Sequence, residues 1–138
     1  MGWFESRETK ERRSQFKNMI SLALIDGEFD DAEREFLQNR GLQLGLSAAD
    51  VKAVLEHPER VEFVVPKDPE HRIHHLYDLV FMMIVDGELR REEMDFVQTL
   101  AVGLGFRPSS VDQVLQEIVE GARRNCKPTI DAVEFLEV

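Results

Sequence analysis

The chain states one pattern twice. Residues 25–55 (IDGEFDDAEREFLQNRGLQLGLSAADVKAVL) and residues 85–115 (VDGELRREEMDFVQTLAVGLGFRPSSVDQVL) align without a gap at an offset of 60. The identities include Asp26/Asp86, Gly27/Gly87, Glu28/Glu88, Glu33/Glu93, Phe36/Phe96, Leu44/Leu104, Gly45/Gly105, Val51/Val111 and Leu55/Leu115. Two copies fall short of the roughly three stacked units that a solenoid needs to bury a core. A duplicated helical hairpin folding against its own twin is expected instead, with Phe36 and Phe96 inside one core. A length of 138 residues suits one domain with a core that needs no staples. Its repeat halves would run over about 12–57 and 72–117, joined by a crossover at 58–71 and closed by a C-terminal helix at 126–138.

Periodicity and caps fill in the helices. Phe16, Met19, Ile20, Ala23 and Leu24 share one face of a helix that starts near Phe4 and ends at Gly27, a residue free to take positive φ. Asp30 with Glu33 reads as a capping box for the second helix, which Gly45 stops. Ser47 caps the third, with Val51, Val54 and Leu55 inward, and His57-Pro58 closes the half. Residues 59–67 (ERVEFVVPK) have no second strand-like run to pair with, so an extended or 3₁₀ crossover is expected. Asp68-Pro69 opens a helix that is apolar nearly all round from Leu79 to Val85 and so belongs at a centre. Helices over 90–104 and from Pro108 or Ser109 to Asn125 repeat the plan, and Thr129–Leu136 reads as a short last helix. The expected fold class is all-α, a single-domain bundle of about seven or eight helices with an internal pseudo-twofold.

Charge narrows the function classes. A net charge of −10 argues against nucleic acid, which demands a basic face, and favours cations or basic partners. The charge is uneven, because residues 1–24 carry Arg7, Lys10, Arg12, Arg13 and Lys17 against Glu5, Glu8 and Glu11. The single Cys126 excludes a disulfide within the chain and reads as a small apolar side chain. The start has no apolar run of the signal-peptide kind, and Leu79–Val85 is far short of the roughly 20 residues that span a bilayer. A cytoplasmic, non-enzymatic protein is expected, since no phosphate loop, nucleophile elbow or Cys–His set with ligand spacing is present.

Two groups of residues remain as candidates. From Asp26 and again from Asp86, the spacing matches the second half of an EF-hand loop, with Glu33 and Glu93 at the final ligand position. The first and third positions would be Leu22 and Leu24, or Met82 and Ile84, which cannot ligate, so an EF-hand is excluded. What remains is an Asp at the end of one helix and a Glu in the first turn of the next, in both halves. Helix capping accounts for Glu33. It accounts less well for Glu93, because Arg90 occupies the cap position. Asp26 and Asp86 face the negative end of a helix dipole, which suggests a cation or polar partner. Both readings stay open. The second group is His71, His74 and His75, spaced to share one helix face; a transition metal is conceivable there, and solvent-edge residues are the simpler account.

With these residues in view, the chain resembles the tellurite-resistance protein TerB family, including the related domain at the front of a membrane-anchored DnaJ-like co-chaperone. The features are the doubled Asp-Gly-Glu at 26–28 and 86–88, Glu33 and Glu93, and the turns Leu44-Gly45-Leu46 and Leu104-Gly105-Phe106. The resemblance covers about residues 12–125. It implies an all-helical fold and a divalent cation held by Asp26, Glu33, Asp86 and Glu93, with Glu28 and Glu88 as a second tier. It further implies a stress-response role among protein partners at the inner face of a membrane, with peripheral membrane association. The charged start, Trp3 to Arg13, departs from the family pattern, and residues 1–138 include no stretch that reads as a J domain or anchor. The alternative is a protein-interaction scaffold, without metal, whose acids serve only as helix caps.

Overall fold

The computed structural model describes residues 6–27, 29–85, 90–124 and 132–137, and of Asp26, Val85, Ala132 and Val133 only the backbone. The described residues are all-α. Six helices of nine residues or more are joined by one-turn pieces, and no strand occurs among them beyond an isolated bridge, Phe106 to Leu136. The chain divides into two compact units, Met1–Val64 and Val65–Val138, and the division falls inside the expected crossover.

In the first unit, α1 (Arg7–Ala23) begins at Ser6, whose side chain accepts the Thr9 amide at 3.1 Å. The start expected near Phe4 precedes the described residues. The expected continuation to Asp26 tightens into a 3₁₀ turn, Leu24–Asp26, and Gly27 follows at φ 109°. Helix α2 (Asp31–Gln43) carries the complete capping box: Glu33 N–H donates to Asp30 Oδ1 at 2.8 Å, and Asp30 N–H donates to Glu33 Oε1 at 3.2 Å. Helix α3 (Ala48–Glu56) has Ser47 as its cap. Its core is Phe16, Met19, Ile20 and Leu37 with Val51, Val54 and Leu55. Each such side chain contributes about 1.5–3 kcal/mol on burial. Helix α2 passes so close to its neighbours that a Cβ on Gly41 would lie 2.8 Å from Val51 Cγ2.

After Pro58–Arg60, a 3₁₀ turn, the chain runs without regular structure to Asp68. In the second unit α4 (Pro69–Val85) is the central helix and packs on α5 (Arg91–Gly103), α6 (Val111–Arg123) and the short α7 (Ala132–Phe135). The expected start of α6 at Pro108 is a 3₁₀ turn, Pro108–Ser110. The last segment seals the turn after α5: Arg107 N–H donates to the Phe135 carbonyl at 2.8 Å, and Glu137 N–H to the Gly105 carbonyl at 2.7 Å.

The units repeat one another in detail. Leu46 N–H reaches back to the Gly41 carbonyl at 3.2 Å and Phe106 N–H to the Ala101 carbonyl at 3.1 Å, which closes α2 and α5 with the same turn at Gly45 and Gly105. Both glycines have positive φ, 95° and 99°. Arginines at the same offset, Arg12 and Arg72, lie over these ends, with Nη1 3.0 Å and 2.8 Å from where a Cβ would stand. A cation suits the negative end of a helix dipole. Arg72 also donates from Nη1 to the Leu104 carbonyl at 3.0 Å and from Nε to the Pro66 carbonyl at 2.8 Å.

Two expectations about individual side chains are corrected. Phe36 is 39% exposed and not core, because α2 buries only Leu37 and Gly41. His75 is fully buried and not a solvent-edge residue. It stands one turn before Leu79 on the face of α4 that enters the core, while His71 and His74 are exposed. The three imidazoles therefore do not form a ligand set.

Candidate functional site

The duplicated acids occupy unlike surroundings. Glu33, in the first turn of α2, is exposed, and its Oε1 is engaged by the Asp30 amide. Glu93, its counterpart in the first turn of α5, is 5% exposed. The N-cap there is Arg90, which makes no side-chain cap bond, and its Nε lies 4.0 Å from Glu93 Oε1. Sequence symmetry has thus become environmental asymmetry. Glu33 serves a helix end in solvent, and Glu93 is a buried carboxylate beside a guanidinium.

The other expected site residues are reached less fully. Asp26 closes the 3₁₀ turn after α1, its side chain lying outside the described residues along with all of Glu28, Asp86 and Glu88. Among the described residues, no group of three or more His, Cys, Asp or Glu side chains is placed to hold a metal ion. Of the six expected acids, only Glu33 and Glu93 have described side chains, one in each unit. No helix among the described residues is long and apolar enough to cross a membrane.

A feature that the motifs did not announce lies in the first unit. A cleft of about 450 Å³ opens between α1, α3 and the segment that follows α3. Its apolar surface comes from Ala53, Val54, Val61 and Val64. Lys10, Arg13 and Arg60 bring positive charge, and Asp50 and Glu62 bring negative. Arg13 Nη2 donates to Asp50 Oδ1 at 2.9 Å and so neutralises that acid while tying α1 to α3. His57, at the end of α3, lies with Nδ1 3.3 Å from Glu59 Oε1. Glu59 is held below the usual carboxylate range, chiefly by a backbone hydrogen bond.

The far wall is stapled from α1. Lys17 Nζ donates to the Val61 carbonyl at 3.0 Å, and Val64 N–H donates to the buried Ser14 Oγ at 2.9 Å. The sequence signal was the basic bias of residues 1–24. Lys10, Arg13 and Lys17 recur at i, i+3 and i+7, which is one helix face. No protein-family model, curated protein or solved structure matches the chain.

Proposed function

We propose that the chain is a non-enzymatic, TerB-like protein-interaction scaffold whose repeated acids shape helix ends. The observation that carries this reading is α2. Its N-terminus is finished by a complete capping box, yet of its 13 residues only Leu37 and Gly41 are buried. Phe36 and Leu42 are left 39% and 49% exposed. By contrast, α5 buries Glu93, Val97, Leu100 and Ala101, although Val102, the twin of Leu42, is 44% exposed. A well-capped helix that keeps large apolar groups in solvent has the composition of a contact surface, where aromatic residues are enriched. The proposed setting is stress response among protein partners.

The test is stability. Changing Phe36 and Leu42 together to Ser should cost less than about 1 kcal/mol in urea unfolding, whereas Leu37→Ala should cost about 2–5 kcal/mol. A core-sized loss from the double Ser variant would mean that these two side chains, on either side of the buried Leu37 and Gly41, are already covered within the chain, and the scaffold reading would lose its support.

Divalent cation binding, as the resemblance implies, stands as the second reading, and the burial of Glu93 beside a helix start without a side-chain cap favours it. Thermal melts in chelator and in Ca²⁺, Mg²⁺, Mn²⁺ or Zn²⁺ separate the two. An ion that binds only the folded chain at 100 times its dissociation constant adds about 2.7 kcal/mol.

A further inference from the structure

We propose that the cleft of the first unit binds a small organic anion, a carboxylate or phosphate monoester carried on a compact apolar body. The inference goes beyond the scaffold reading and rests on separate residues. A volume of about 450 Å³ falls within the roughly 300–1,000 Å³ of small-molecule sites. The lining has the two parts that such a ligand needs: valine surface for its body, and cations for its head.

Charge decides the sign of the ligand. Of the two acids in the cleft, Asp50 is occupied by Arg13 at 2.9 Å, with both side chains largely withdrawn from solvent. Lys10 and Arg60 make no close ion pair among the described residues; Glu62 opposes them within the cleft, and Glu59, outside its lining, feels the charge of Arg60. A surface Lys or Arg is usually solvated without consequence, but here two of them border an apolar cleft. Guanidinium and ammonium groups are the usual partners of carboxylate and phosphate, and their hydrogen bonds strengthen away from bulk water. The net charge of −10 removes non-specific attraction as an explanation, so saturable binding of an anion has to come from this local excess of cation.

The wall is built to persist. The bonds from Lys17 to Val61 and from Val64 to Ser14 fix the segment that carries Val61, Glu62 and Val64, and neither bond uses Lys10 or Arg60. A preformed wall lowers the ordering cost of binding.

The ¹⁵N-labelled full chain would be titrated with phenyl phosphate, benzoate, inorganic phosphate and benzyl alcohol, and amide shifts followed. Saturable shifts at Lys10, Ala53, Val54 and Arg60 are expected with phenyl phosphate or benzoate, and the stronger of the two identifies the head group. Inorganic phosphate and benzyl alcohol should bind at least about tenfold more weakly, since each lacks one half of the recognition. The double variant Lys10→Ala, Arg60→Ala should weaken the aromatic anion by at least about tenfold with an unchanged melting temperature, since both residues are exposed and neither makes the bonds that hold the wall. The proposal is overturned by shifts that scatter or fail to saturate, by benzyl alcohol or inorganic phosphate binding as well as the aromatic anions, or by a double variant that binds unchanged. Should the double variant fail to fold, Lys10→Gln alone must weaken phenyl phosphate more than benzyl alcohol, and equal effects overturn the proposal.

Discussion

His75 sits where a charge is costly. Burial pushes its imidazole down from 6.5 to about 4. The unfolded chain therefore takes up a proton near pH 6.5 that the folded chain refuses until about pH 4, so this residue's contribution is present above pH 6.5 and lost as pH falls through that window. The loss should total about 3 kcal/mol, at about 1.4 kcal/mol per pKa unit. Urea unfolding of the wild type and His75→Leu at several pH values checks this, since the variant should have the shallower slope between the two pKa values. Parallel slopes would mean that the imidazole is solvated. Gly41 makes a second prediction at this scale. An alanine there gains helix propensity but meets Val51 Cγ2 at 2.8 Å and Phe16 Cζ at 3.0 Å. Overpacking should win, and Gly41→Ala should lower stability by about 1 kcal/mol, read from the denaturation midpoint. A gain would show that the two side chains yield.

At the scale of elements, the arginines over the helix ends are not equivalent. Arg72 gives two hydrogen bonds to main-chain carbonyls, whereas Arg12 is paired with the exposed Glu8. Arg72→Ala should cost about 1–3 kcal/mol, and Arg12→Ala less than about 1 kcal/mol. Equal losses would reject the difference. Much of this level was legible beforehand, because caps are local: Asp30 with Glu33, Ser47, Asp68-Pro69 and the turns at Gly45 and Gly105 all fall where the sequence signalled them. Helix periodicity also gave the core faces. It could not give depth. The offset of 60 made Phe36 the twin of Phe96, but how far each helix sinks depends on its neighbours, and α2 remains shallow. For the same reason the polar opening of α4 concealed that His75 faces inward. The cleft was illegible because the contacts that shape it join residues 44 and 50 positions apart.

At the scale of the whole chain, a duplicated sequence has kept its helix plan while its paired acids have diverged in environment. Glu33 is exposed in a capping box, and Glu93 is buried beside Arg90. On the scaffold reading, Glu33 serves the helix it begins and holds no ion. The most direct measurement is the unfolding free energy of wild type and Glu33→Gln, in chelator and in each of Ca²⁺, Mg²⁺, Mn²⁺ and Zn²⁺. Glu33→Gln keeps an oxygen for the Asp30 amide but removes the charge at the helix start, so it should cost about 0.3–1 kcal/mol, the same in every solution, with the wild type unmoved by any ion. An ion that stabilises the wild type by about 2.7 kcal/mol, and loses that effect in Glu33→Gln, would contradict that reading.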